Sequence, residues 1–205
     1  VDGSCVAEDT GEVQMADYGI SGIPAFQVSR YAAVALDRKQ CVTATLDFVP
    51  EYTEEQLRDF LKQQLDVASA EESWKMLLSG IVNEKIAGML CAQKHLGERK
   101  IASIPKAKNR QLLREFAGLL KQVKFPITGV RGFQFAQVTC GGIPVTELTK
   151  QMESERVEGL YFAGEIVDVD GMCGGYNLQW AWSGGAVAGT AAAEKSVRRK
   201  RTDAK

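Results

Sequence analysis

The side chains best suited to chemistry lie close together near the C-terminal end of the chain. Glu165, Asp168 and Asp170 are followed by Gly174 and Gly175, in the stretch Gly159–Ala193, GLYFAGEIVDVDGMCGGYNLQWAWSGGAVAGTAAA. A carboxylate placed directly after a strand and a glycine can accept hydrogen bonds from a diol. Glycines ahead of a helix let a ligand approach bare backbone. The first N–H groups of that helix have no internal partner, and its dipole favours negative charge there. Gly164, Glu165, Gly174, Gly175, Tyr176, Asn177 and Leu178 are therefore the candidate binding residues, for an electron-rich or anionic group.

Other chemistries fit less well. Asp168, Asp170 and Gly171 resemble part of a calcium loop, but Ile166 and Asn177 occupy its first and last ligand positions. One histidine and isolated cysteines offer no zinc spacing, so no metal site is expected. Cys173 precedes the glycine pair, yet His95 is the sole histidine, and a Cys-His nucleophile would need a long-range meeting. Ser154 and Ser183 have no base nearby in sequence. No residue is singled out as catalytic acid or base.

The elements that must hold these residues are a strand, a loop and a helix. Leu160–Ala163 reads as a short apolar strand ending at Gly164, and a helix is expected from about Tyr176 to Ala193. Ala181, Gly185, Ala188 and Ala192 put small side chains on one helix face, suited to close backbone packing. The glycine loop also has a plainer use, as a chain reversal.

Residue by residue, this stretch resembles the C-terminal segment of the aminoacetone oxidase-like family of FAD-dependent oxidoreductases. The likeness rests on Gly159-Leu160-Tyr161-Phe162-Ala163-Gly164-Glu165, the Asp168-Val169-Asp170-Gly171 turn, and Gly174 through Ser183 (GGYNLQWAWS). Upstream it includes Ala136 through Gly142 (AQVTCGG), Met152-Glu153-Ser154 and Asp17 through Gly22 (DYGISG). The resemblance implies FAD as cofactor, with ribityl contacts from Gly164 and Glu165. The Gly174–Leu178 helix entrance would face the N1/C2-carbonyl edge of the flavin, where its dipole stabilises the reduced ring by about 0.3–2 kcal/mol. The family also implies an N-terminal Rossmann half with G-x-G-x-x-G. Gly184, Gly185 and Gly189 lie within a helix and do not follow a strand, so they cannot supply it.

Composition sets the wider frame. The 205 residues are enough to bury a core, and the net charge of −1 gives no overall bias toward nucleic acid or membrane. No apolar run is long enough for a bilayer. Val1-Asp2-Gly3-Ser4 lacks the basic and apolar regions of a signal peptide, and the missing initiator Met is expected of a processed chain or a fragment. Five dispersed cysteines suggest reduced thiols, hence a cytoplasmic protein.

The expected fold is α+β in three parts. Residues 1–51 form a partial β-barrel-like insert, with strands around a helix at Ala25–Leu36 and a good strand at Gln40–Phe48. Residues 52–124 form a helical insert. Thr53-Glu54-Glu55-Gln56 is a capping box, Ser69 with Glu72 repeats the signal, Asn83–Leu96 is a third helix, and a fourth follows Pro105. Leu57, Phe60, Leu61, Leu65, Trp74, Leu78, Leu112, Phe116 and Leu120 recur at helical spacing and are expected in its core. Residues 125–205 hold paired strands at Phe125–Val130 and Gly132–Thr139, then the strand-loop-helix segment and a frayed charged tail, Lys195–Lys205. Acids dominate Asp47–Glu72 and bases Arg99–Lys124, which reads as two solvated faces attracting one another.

The functional expectation is the C-terminal portion of an FAD-dependent oxidoreductase. Its flavin accepts a hydride from a small reduced substrate or a nicotinamide. The expected partners are the missing Rossmann half, or a second copy through self-association, and neither membrane nor nucleic acid. The alternative from another class is a non-catalytic domain that binds a protein or a phosphate-rich ligand through Arg99–Lys124.

Overall fold

The computed structural model describes residues 1–202, and the side chains of residues 1–199. It is a mixed α/β chain of two compact units, one formed by residues 43–126 and the other by residues 1–42 with 127–205.

The first unit is helical. Its helices are α2 (Glu54–Val67), α3 (Trp74–Ser79), α4 (Glu84–Gln93) and α5 (Lys106–Lys121). The capping box at the start of α2 forms in full: Gln56 N–H donates to Thr53 Oγ1 at 3.2 Å, and Thr53 N–H to Gln56 Oε1 at 2.9 Å. The signal at Ser69 does not start a helix. α3 begins at Trp74, and Ser73 caps it, its Oγ accepting from Met76 N–H at 3.2 Å. Ser73 supplies the same hydroxyl one residue before the first turn, where the orphan N–H groups are.

The apolar stripes close on one another. Leu57, Leu61, Trp74, Leu78, Leu90, Leu112, Phe116 and Leu120 are all fully buried, each contributing about 1.5–3 kcal/mol. Trp74 and Phe116 pack with their rings tilted by 38° and 5.0 Å between centroids. The Trp74 indole N–H donates to buried Asn109 Oδ1 at 2.8 Å. The opposed charge blocks pair, through Lys121–Asp47 at 2.6 Å and Lys100–Glu71. Strands β3 (Val42–Leu46) and β4 (Val123–Ile127) pair into a two-stranded sheet.

The second unit opens with an antiparallel hairpin, β1 (Gln14–Ala16) and β2 (Gly19–Ser21), in the register Gln14↔Ser21. Helix α1 (Ile23–Asp37) follows, with Pro24 in its first turn, where a missing N–H costs nothing. Helix α6 (Tyr176–Thr202) ends the described chain. Between them residues 128–175 are mostly irregular, with short 3-10 turns at Phe133–Phe135, Val145–Glu147 and Gly164–Ile166.

No closed barrel exists among the described residues; the strands form two separate pairs. Three expectations are corrected. Gly132–Thr139 is not a strand, and β4 pairs with β3 instead. The Arg131 guanidinium lies over the Phe135 ring, 3.5 Å from its centroid, whereas residues four apart in a strand are separated by about 13 Å. Leu160–Ala163 makes only the isolated antiparallel bridge Glu153↔Tyr161, for want of a neighbouring strand among the described residues. Finally, α6 does not stop near Ala193. The tail expected to fray is helical to Thr202, built from good helix formers and held by Lys195 to Glu153 at 2.6 Å. Its last residues, 203–205, lie outside the described residues.

Candidate functional site

The site is assembled where two loop segments run side by side and end at α6. Residues 139–143 lie along 165–168. Thr139 N–H and Oγ1 both donate to Glu165 Oε1, at 2.8 and 2.9 Å. Gly141 N–H donates to Asp168 Oδ1 at 3.1 Å. Ile143 N–H donates to Ile166 C=O, and Asp168 N–H to Ile143 C=O, each at 2.9 Å. The contact is so close at Gly142 that a Cβ there would sit 2.4 Å from Ile166 O, and its φ of +138° already favours glycine.

Helix α6 packs its second and third turns on this strip. Trp180 Nε1 donates to Gly164 C=O at 3.2 Å. Gly184 faces Met152, Ala163 and Gly164, and Ala188 joins Met152 and Val167 in a small core. The expected small-residue face is thus correct at Ala181 and Ala188. It is wrong at Gly185, which is exposed; Gly184 takes the close contact because it stands at four-residue spacing between Trp180 and Ala188, on the face that meets the strip.

The loop ahead of α6 is heavily tied down. Asn177 clamps Gly171, accepting its N–H on Oδ1 at 2.7 Å and donating from Nδ2 to its C=O at 3.1 Å. Cys173 N–H donates to Gln27 Oε1 at 3.1 Å, and Asp170 forms an ion pair with Arg30. By contrast, Gly174 and Gly175 have φ of +123° and +93°, and a Cβ on Gly175 would meet nothing within 4 Å. The first helical hydrogen bond runs from Gln179 N–H to Gly175 C=O at 2.9 Å. The N–H groups of Tyr176, Asn177 and Leu178 therefore have no partner within the helix. Tyr176 and Leu178 are exposed.

The candidate residues thus fall into two kinds. Gly164, Glu165 and Asn177 are built into the scaffold, although Glu165 Oε2 has no partner among the described residues. Gly174, Gly175, Tyr176 and Leu178 present open backbone. The set fits a nucleotide-type redox cofactor: a glycine-opened helix entrance for an electron-rich carbonyl edge, and a carboxylate oxygen for hydroxyl donors.

Sequence reasoning did not single out Thr139, Gln27, Arg30 or Trp180 as site residues. Thr139 lies within the AQVTCGG run, so a signal for it existed. Nothing local announces Gln27 or Arg30, whose partners lie more than a hundred residues away.

The thiols divide by burial. Cys91 is buried, which pushes its pKa up to about 11, leaving it an inert core residue. Cys140 is exposed, with its Sγ 3.7 Å from Arg30 Nη2. Among the described residues, no three His, Cys, Asp or Glu side chains gather to hold a metal ion, and no helix is long and apolar enough to cross a membrane.

Comparison with known proteins identifies the family. The Rossmann domain of HI0933-like proteins matches residues 115–191, and their barrel and H2TH domain matches residues 1–138. The chain belongs to the HI0933-like family. It is 40% identical over 195 residues to a 3-dehydro-bile acid delta(4,6)-reductase of Clostridium scindens, covering 93% of this chain and 46% of that protein. It is 32% identical over 166 residues to a ribosomal RNA dihydrouridine synthase of Haemophilus influenzae, covering 80% of this chain and 38% of the relative. A ribosomal RNA dihydrouridine synthase of Escherichia coli is 31% identical over 170 residues, with the same coverage of each chain. The chain spans less than half the length of these curated relatives.

Proposed function

We propose that this chain is the flavin-contacting part of an FAD-dependent reductase that saturates a carbon–carbon double bond conjugated to a carbonyl. The observation that carries the cofactor reading is the α6 entrance. Two glycines with left-handed φ lead into three N–H groups unpaired within the helix, on a loop adjoining the strip that holds the Glu165 carboxylate.

The relatives' names favour the reaction. A delta(4,6)-reductase of a 3-dehydro-bile acid and a dihydrouridine synthase both describe reduction across a ring double bond. In each substrate that bond is conjugated to a ring carbonyl. This favours double-bond reduction over the amine oxidation of aminoacetone oxidase-like proteins.

FAD, if bound, would supply two-electron chemistry, with a nicotinamide as hydride source, the substrate's β-carbon as hydride acceptor and a solvent proton completing the α-carbon. The Tyr176–Leu178 N–H groups would hold the electron-rich edge of the ring, and their dipole favours the charge gained on reduction. Glu165 Oε2 would accept hydroxyl hydrogens of the ribityl chain. No G-x-G-x-x-G occurs in the 205 residues, so we assign the pyrophosphate grip to a segment outside them.

The test is the visible absorption spectrum of the purified chain after incubation with FAD and desalting. A retained flavin band, bleached by a reduced nicotinamide and restored by a cyclic enone, is the expected result. A colourless chain that also fails to quench flavin fluorescence would overturn the cofactor reading.

A further inference from the structure

The loop that delivers the chain to the α6 entrance is held from outside its own segment. Helix α1 approaches it with two side chains one turn apart, Gln27 and Arg30, which lie on one helix face. Gln27 Oε1 accepts the N–H of Cys173, the residue directly before Gly174. Arg30 pairs through Nη1 with Asp170 Oδ2, and its Nη2 lies 3.7 Å from Cys140 Sγ. The same face of α1 therefore meets both Cys-Gly-Gly triplets, one beginning at Cys140 and the other at Cys173.

These contacts matter because of what the loop leaves free. Asp168, Asp170, Gly171 and Cys173 each have a fixed partner. Gly174 and Gly175 adopt backbone angles that many neighbouring conformers also allow to glycine. Their direction must then be set by the residues on either side, with Asn177 acting from inside the helix and Arg30 and Gln27 from α1.

We propose that Arg30, with Gln27, is a positioning residue that aims the Gly174–Leu178 N–H groups at the flavin, acting through Asp170 and the Cys173 amide. The inference rests on the flavin reading above. Arg30 keeps its charge throughout the working pH range: burial pulls its pKa down, but its neighbours, the Asp170 carboxylate foremost, together raise it above the ordinary value. The clamp is therefore a constant device and not a pH switch. A guanidinium suits it, because its planar fork can serve a carboxylate and a thiol in fixed directions at once.

The experiment uses the full chain with Arg30→Ala, Arg30→Lys, Asp170→Asn and the Arg30→Ala/Asp170→Asn double variant. Three quantities are read: melting temperature, amide hydrogen exchange at Gly171–Leu178 without cofactor, and FAD affinity by flavin fluorescence. Arg30→Ala should speed exchange at the hydrogen-bonded Gly171 and Cys173 amides and weaken FAD binding about tenfold, with the helical unit's exchange unchanged. Arg30→Lys should recover part of the loss, and the double variant should be no worse than Arg30→Ala. Unchanged exchange in Arg30→Ala would overturn the clamp. So would a loss of FAD affinity that Arg30→Lys does not relieve. If the unaltered chain takes up no FAD, the cofactor reading fails, and the exchange measurement alone still decides whether Arg30 sets the loop.

Discussion

Thr139 and Glu165 meet twice at one atom: the Thr139 N–H and Oγ1 donate to Glu165 Oε1 at 2.8 and 2.9 Å. The carboxylate is therefore both a strut between two loop segments and, through Oε2, an acceptor facing outward. Glu165→Ala removes both roles. A hydrogen bond to a charged group contributes about 1.5–3 kcal/mol, so FAD affinity is expected to fall roughly tenfold to hundredfold. Thr139→Val keeps the acceptor and should cost less. Flavin fluorescence titration reads both, and unchanged affinity in Glu165→Ala would remove the residue from the site.

Asn109 is the polar centre of the helical unit. It accepts the Trp74 indole N–H at 2.8 Å and donates to the carbonyls of Ile101 and Ile104, both at 3.1 Å. Asn109→Leu leaves the Trp74 N–H and the Ile104 carbonyl buried without that partner, while Ile101 C=O keeps the Ile104 N–H at 3.1 Å, at a cost of about 2 kcal/mol or more. Urea unfolding of the helical unit followed by Trp74 fluorescence should show it. A loss below about 1 kcal/mol would mean that water replaces the amide.

The helical unit was legible because its information is local. Leu57, Leu61, Leu112, Phe116 and Leu120 repeat at the helical period, and Thr53, Asn83 and Pro105 mark helix starts. Pairings between distant segments were not legible. Phe125–Val130 and Gly132–Thr139 look like neighbours in a hairpin, yet β4 finds its partner in β3, before the helices. The same holds for the site. Glu165 and the glycines declare themselves by type and spacing, whereas nothing in the sequence around Arg30 singles it out. Only the fold brings it to Asp170.

Glu153 gives the second unit a pH-dependent fastening. Its carboxylate accepts from Lys195 Nζ at 2.6 Å and from Gly159 N–H at 2.7 Å. The Lys195 ammonium above all, and then the Gly159 amide, hold its pKa below the ordinary 4.5. A depressed carboxylate adds stability that is present above its unfolded pKa and is lost as pH falls through the folded value. Lys195 is raised above its ordinary 10.5 by the same partner, so its contribution is lost only as pH rises beyond that. Glu153→Gln should therefore flatten the acid limb of a melting-temperature profile below about pH 4.5 and leave the slope between pH 6 and 9 unchanged. An unaltered acid limb would show that the pair adds nothing to folding.

Gly142 carries the closest backbone approach in the site strip, and its neighbour provides the control. A Cβ at Gly142 would lie 2.4 Å from Ile166 O and 3.1 Å from Ile166 C, both backbone atoms with no room to rotate away. A Cβ at Gly141 would meet nothing within 4 Å, although its φ of +98° is also left-handed. Gly141→Ala thus pays conformational strain alone, about 1–3 kcal/mol. Gly142→Ala pays that and must also push apart the Ile143–Ile166 and Asp168–Ile143 hydrogen bonds, both 2.9 Å. Each such bond contributes about 1 kcal/mol. Gly142→Ala should be the costlier change by about 1–2 kcal/mol, with faster hydrogen exchange at the Ile143 and Asp168 amides. Because Asp168 leads into the loop held by Arg30, FAD affinity should fall with it. Equal costs for the two variants would show that the strip yields at Gly142 without strain, and that Glu165 is placed by Thr139 alone.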